Sequence, residues 1–456
     1  MQYFFVLPNI ICTFAQTIES REMSEKDKDI LKIAIPSIVS NITVPLLGLV
    51  DVTIVGHMGS AAYIGAIAVG SMIFNVIYWI FGFLRMGTSG MTSQAYGRRR
   101  LDEAVDMLVR AMALGVGVGI LFVLAQPVVK YAAMAAMQPT DDIKAYTSAY
   151  FDICIWGAPA VLGLYSLTGW YIGMQNTRTP MVISIVQNII NIAASITLVS
   201  VFGMKVEGVA IGTLVAQYAG FALALVMLCN RYGRLMRYIS VKAMRDTKAM
   251  MRFFTVNRDI FLRTVFLVAV NLFFTAAGAK QGAVILSVNT LLFQLFTLYS
   301  YVMDGFAYAG EAIGGKYYGA GNVRAFDDIV RRLFVWALLL TALYTLVYLF
   351  GGRPFLRLLT DEPDVVSASK EYMLWAVAIP LSGMGAFYWD GLYIGMTATR
   401  GMLASTFAGA IVFFATYTLL FPMLENHALW LALTLYLVAR GIVQTLLFKR
   451  YRLKSY

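Results

Sequence analysis

At 456 residues, with 59% hydrophobic and only 13% charged side chains, the chain has too little polar surface to stay in water as a string of soluble domains. Its net charge of +11 would suit nucleic acid in a soluble protein, but here the Lys and Arg sit between long apolar runs, where they record membrane topology; a nucleic-acid partner is excluded. Cys12, Cys154 and Cys229 are scattered singly, which excludes a disulfide framework and a thiolate metal site. With two histidines, no serine–histidine pairing and no phosphate loop, the chain reads as no enzyme and as carrying no cofactor.

Met1 to Ala15 is apolar but lacks the basic flank and small-residue cleavage site of a signal peptide, whereas Met23-Ser-Glu-Lys-Asp-Lys reads as an ordinary start. Residues 1–22 are therefore expected to be an extension, either a mis-set start or an interfacial helix. Apolar stretches such as Leu108 to Val129, Leu333 to Phe350 and Leu429 to Phe448 approach the roughly 20 residues that a helix needs to cross the hydrocarbon core. Twelve spans are predicted, centred near residues 44, 74, 119, 158, 190, 217, 267, 294, 341, 382, 412 and 438. The fold class is an all-α integral membrane protein. The only long polar connection, 231–258, carries Arg231, Arg234, Arg237, Lys242, Arg245, Lys248, Arg252 and Arg258. It divides the chain into a first lobe at 23–230, holding spans one to six, and a second lobe at 259–456, holding spans seven to twelve. Lys130, Lys144, Lys205, Lys280, Arg353, Arg357 and Lys370 fall in loops on one side, and nearly all other basic residues on the opposite side. That bias places both termini in the cytoplasm and the protein in the plasma (inner) membrane as a multi-pass chain.

Gly169-Trp-Tyr-Ile-Gly-Met-Gln-Asn-Thr-Arg178 returns as Gly391-Leu-Tyr-Ile-Gly-Met-Thr-Ala-Thr-Arg400, a shift of 222 positions that also carries Tyr96-Gly97 onto Tyr318-Gly319 and Arg110 onto Arg332. A repeat with an even number of spans brings the chain back to its starting side, so the copies run parallel about an axis along the membrane normal. Two parallel six-helix repeats leave a cleft between them that opens to either side by rocking. The repeated word itself reads as a structural element, its glycines permitting close helix contact.

Ionisable residues inside spans are costly and raise functional suspicion. Asp51 closes span one, six residues after Pro45, which removes the backbone bond to the carbonyl of Asn41 and bends the helix. Asp51 is thus a candidate site, the alternative being a cap at the far end of the span. Ser184, Asn188, Asn191 and Ser195 share one face of span five, and Thr213 and Gln217 lie one turn apart on span six. On span eight Gln294, Thr297, Tyr301, Asp304, Tyr308 and Glu311 form a polar stripe along the helix. Asp390 on span ten has Arg263 and Arg440 as possible partners. A structural network holding the second lobe together is the favoured reading, with Tyr301, Asp304 and Asp390 kept as candidates for substrate or proton binding. Phe74, Trp79, Tyr165 and Tyr301 are candidates for cation–π contact with cargo.

Together, Ile35-Pro36, Asp51-Val-Thr-Ile-Val-Gly-His-Met-Gly59, Gln94-Ala-Tyr-Gly97, Tyr171-Ile-Gly-Met-Gln-Asn-Thr-Arg-Thr-Pro180, Gly208-Val-Ala-Ile-Gly-Thr213 and Asp304-Gly-Phe-Ala307 resemble the MATE (multidrug and toxic compound extrusion) family, in its DinF-like branch. The resemblance covers about residues 25 to 450. It implies a secondary antiporter of two six-helix lobes that exports small organic, lipophilic cations in exchange for inward H⁺ or Na⁺. Carried over residue by residue, it implies that Asp51 is the coupling carboxylate and that Asn191 and Thr213 are its partners. Asn188, Ser195 and Thr168 complete the candidate set for coupling ion and substrate. Prokaryotic members often carry a second aspartate where this chain has Ser195, and an asparagine can stand where it has Thr168. That departure favours H⁺ and leaves at most a weak Na⁺ site at Asp51, Asn191 and Thr213. The expected partners are the cations and the bilayer, and the expected state is a monomer. A flippase or exporter of lipid-linked precursors or metabolites, from the same superfamily, is the alternative; it would call for an Arg cluster that the cytoplasm-distal interior lacks.

Overall fold

A computed structural model describes residues 24–56, 60–240, 246–360 and 362–452; the extension 1–22 lies outside them. Among the described residues the chain is helical and has no strand. The first repeat comprises α1 (Glu25–Gly56), α2 (Ala61–Ile80), α3 (Phe83–Gly97), α4 (Leu101–Leu124), α5 (Gln126–Met137), α6 (Asp141–Cys154), α7 (Ala158–Gly173), α8 (Arg178–Ser200) and α9 (Val206–Tyr232). The second comprises α10 (Thr247–Ala279), α11 (Ala283–Ala309), a π turn at Gly310–Gly314, α12 (Gly315–Gly319), α13 (Val323–Leu359), α14 (Pro363–Gly395), α15 (Thr399–Leu424) and α16 (Asn426–Tyr451).

All twelve predicted centres fall inside helices. Among the described residues ten helical stretches are long and apolar enough to cross a membrane, some joining two elements, such as Ala62–Gly97 and Asp141–Gly173. The remaining two spans are α1 and α14, of 32 and 33 residues; α14 interrupts its apolar run with Lys370, Glu371 and Asp390. Helix starts are fixed locally: Ser60, Asp246 and Asn322 accept bonds from Ala62, Ala249 and Ala325 backbone amides, satisfying donors that the first turn leaves open. Large apolar side chains such as Leu124, Leu419 and Leu446 lie more than 70% exposed, which suits lipid contact. Two features depart from the sequence reading. Helix α5 lies between spans three and four and buries none of its side chains. Helix α10 begins at Thr247, inside the basic connection expected to run to residue 258.

The duplication extends to the backbone. Positive φ angles between 46° and 68° recur at Arg99 and Gly321, Gln175 and Thr397, and Gly203 and Glu425, each pair 222 positions apart. Non-glycine residues rarely accept a positive φ, so positive-φ breaks follow corresponding helices in both copies. The start of α1, the end of α16, the first turns of α10, Arg178 and Arg400 lie at one end of the bundle, called here the basic end. There the repeats meet symmetrically. An added Cβ at Gly97 would strike the Lys316 carbonyl, and one at Gly319 the Gln94 carbonyl; both residues and both targets are 222-position counterparts. The contact is therefore isologous, with backbones touching because neither glycine carries a side chain.

Candidate functional site

In the first repeat α1 and α8 run parallel, joined where Asn188 Nδ2 donates to the Thr43 carbonyl at 2.9 Å and where the Thr43 and Ser184 hydroxyls meet at 3.0 Å. One turn further, Asn191 Nδ2 donates to Thr213 Oγ1 at 3.1 Å. Asn191 Oδ1, Ser195 Oγ and Gln217 Oε1 are buried without a hydrogen-bond partner among the described residues, which is unusual for buried polar atoms. Thr168 is half-buried on α7. Asp51 lies on α1 near its end, but its side chain, like that of Pro45, lies outside the described residues. At 1.5 Å rise per residue, the eight residues from Thr43 to Asp51 cover about 12 Å. Eight residues on from Asn188 is Ile196, so the backbone of Asp51 is about level with the unpartnered Ser195.

In the second repeat Asp390 is enclosed. Arg263 on α10 and Arg440 on α16 both bond its Oδ2, the latter at 2.7 Å, and Gln444 Nε2 donates to Oδ1 at 2.7 Å. All four side chains are buried, and Arg440 stacks on Tyr436 at 5.3 Å. Three spans are tied through one carboxylate, the network expected from the sequence. Of the aromatic candidates, Phe74 is packed among Tyr78, Tyr150 and Phe151, Trp79 is exposed, and Tyr165 and Tyr301 are half-buried.

Between the repeats, polar contacts among the described residues begin at mid-span and continue to the basic end. Asn41 Nδ2 donates to the Tyr301 carbonyl at 3.1 Å. Below it Arg85 pairs with Glu311 at 3.2 Å, and Ser89 Oγ donates to the same carboxylate. Arg85 also lies over the Tyr308 ring, 4.2 Å from its centre. Gln94 Nε2 reaches the Gly395 carbonyl at 2.9 Å and Gln175 Nε2 the Ala312 carbonyl at 2.7 Å. At the rim Lys26 pairs with Asp328 at 2.7 Å, and Asp27 holds Arg332 at 2.5 Å and Trp336 Nε1 at 3.2 Å. Exposure along α11 and into the π turn follows the same gradient: Gln294 is exposed, Thr297, Tyr301, Asp304 and Tyr308 are half-buried, and Glu311 is 1% exposed. The polar stripe thus lines a cleft that narrows toward the basic end and is shut there.

Arg85 escaped the sequence reading, which grouped it with charges flanking span two. The helix break at Phe81-Gly82 and twelve further residues to Gly97 place it well inside the span. The Gly82 hinge, followed by a charge more than three turns from the helix end, is the signal that would have found it.

The family model described as MatE matches residues 36–197 and 260–419. The DNA damage-inducible protein F of Escherichia coli K12 is 35% identical over 94% of this chain and 93% of its own length. A probable multidrug resistance protein NorM from Thermotoga maritima is 20% identical, covering 78% of this chain and 77% of that protein. Among solved structures, a MATE protein in a bent conformation superposes with a TM-score of 0.82 at 17% identity over 94% of this chain and 95% of the other. A Vibrio cholerae MATE transporter superposes at 0.84, with 16% identity over 93% and 96%.

Proposed function

The chain belongs to the MATE family, whose members are transporters and not enzymes, and on that footing we propose that it is a secondary antiporter exporting small lipophilic cations in exchange for inward H⁺. Both termini and the basic end face the cytoplasm, in keeping with the Lys and Arg bias. Residues 23–230 and 259–456 form the two lobes, 231–258 is the cytoplasmic linker, and the transporter works as a monomer in the bacterial inner membrane.

The gradient along α11 and the π turn, from exposed Gln294 to buried Glu311, supports this reading best, because a cleft shut at one end and open at the other is one half of an alternating-access cycle. Asp51 is the coupling carboxylate, with Asn191, Thr213, Asn188, Ser195 and Thr168 around the same cavity. A carboxylate in a low-dielectric cleft holds either a proton or a cation. Outside, a proton takes Asp51 and cargo leaves; inside, the proton leaves and cargo binds. Tyr301, Asp304 and Asp390 face or brace the cleft from the second lobe.

Proteoliposomes preloaded with ethidium, given either a pH gradient or a Na⁺ gradient alone, test the coupling. Collapse of the ethidium gradient is expected with the pH gradient and not with Na⁺. Asp51→Asn should abolish that transport at normal membrane expression; wild-type rates from this variant would refute the assignment.

A further inference from the structure

Resting on the transporter reading above, we propose that Glu311 in the π turn, with Asp304 before it on α11, forms a cation-binding site in the second bundle, and that Arg85 is a tethered cation which an organic monocation replaces when the basic end opens.

Among the described residues, six charged side chains surround the inner part of the seam. Five belong to the second bundle: Asp304, Glu311, Asp390, Arg263 and Arg440. The first bundle supplies one, Arg85. Asp390 already holds both arginines of its own bundle and Gln444. Among the described residues, Glu311 takes its side-chain partners from the opposite bundle, Arg85 and Ser89. With the seam closed the six charges sum to zero in their ordinary forms. When the bundles part, Arg85 and Ser89 leave together, and the second bundle retains three carboxylates against two arginines. A buried carboxylate stripped of its partner is strongly destabilising, so the opened state calls for one positive charge at this place.

The geometry says which kind of cation fits. Arg85 is held by a carboxylate on one side and an aromatic face on the other, with Tyr308 at 4.2 Å; a flat or lipophilic monocation finds the same pair of contacts. Asp304, seven residues before Glu311, sits about 10 Å further along the helix and lies within electrostatic reach of Arg85, Arg263 and Glu311. It gives the cation a second carboxylate on its route toward the wide end of the cleft. The π turn at Gly310–Gly314 interrupts the helix at Glu311 itself, and such turns recur at functional positions. Arg85 then has two roles: it closes the gate, and it empties the site by competing with cargo for one carboxylate.

The test is equilibrium binding of ethidium to purified protein in lipid nanodiscs, followed by fluorescence anisotropy. Arg85→Met should bind ethidium at least tenfold more tightly than wild type, Arg85→Lys should stay near wild type, and Arg85→Met combined with Glu311→Gln should lose the gain. Tyr308→Ala should weaken binding severalfold, and it serves if Arg85→Met proves unstable. Unchanged or weaker binding by Arg85→Met, a gain that survives Glu311→Gln, or wild-type binding by Tyr308→Ala would each overturn the site. Ethidium transport by wild-type proteoliposomes separates the two readings. Transport without the Arg85→Met gain removes the site alone; the gain without transport removes the antiporter reading alone.

Discussion

Ser89 donates its hydroxyl hydrogen to Glu311, and these two residues are each other's counterparts under the 222-position shift. The bond therefore crosses the axis that relates the repeats. A duplicated scaffold would place two identical groups there, and two carboxylates would repel. This chain has a hydroxyl on one side and a carboxylate on the other, and the neighbouring Arg85, whose own counterpart is Ala307, balances the charge from one side only. Broken symmetry on the axis makes the closing contact attractive and separable.

A crosslink across this seam should arrest transport. A Cβ on Gly315 falls 2.9 Å from Ser93 Cβ, so a disulfide needs only a slight widening of the gap. In a background with Cys12, Cys154 and Cys229 replaced, Ser93→Cys with Gly315→Cys should stop ethidium export on oxidation and recover it with dithiothreitol. Unimpaired export by the oxidised protein would mean that the basic end stays shut throughout the cycle.

Widening the seam should have the opposite effect on access. Gly97→Leu and Gly319→Leu each push a side chain into the facing carbonyl, and the pseudo-symmetry predicts the same outcome for both. A cysteine at position 93 should become labelled by an impermeant maleimide from the cytoplasmic side in either variant and remain protected without them.

Asp390 is expected to matter for stability before transport. Asp390→Asn leaves Arg263 and Arg440 buried without a counter-charge, a loss of about 3–5 kcal/mol. Thermal unfolding in detergent should show a clear drop in midpoint. Adding Arg263→Met should restore part of it, because the two side chains form one network.

The ion choice is expected to turn on Ser195. Its hydroxyl is buried without a partner among the described residues, near the Asn191–Thr213 bond, and it stands where the family resemblance places a second aspartate. Ser195→Asp should make ethidium export respond to an imposed Na⁺ gradient that leaves the wild type unmoved. The tight approach of Gly212 predicts some loss of thermal stability alongside. A variant that folds and stays indifferent to Na⁺ would place ion selection elsewhere.

Sequence alone determined the membrane spans and their parallel repetition. Bilayer thickness turns apolar length directly into spans, and an even number of spans per repeat leaves the copies no other relative orientation. It also marked Asn191, Thr213 and Asp390, since helical spacing and the scarcity of charge in hydrocarbon are local properties. Only the tertiary structure decided which charges meet. Arg85 reads as a flanking residue until the break at Gly82 and the packing of α3 against the π turn put it inside the seam, and Ser89 is an unremarkable hydroxyl until it faces Glu311. Those contacts join residues more than 220 positions apart. They depend on how closely two bundles approach at Gly97 and Gly319, a distance that no local pattern encodes.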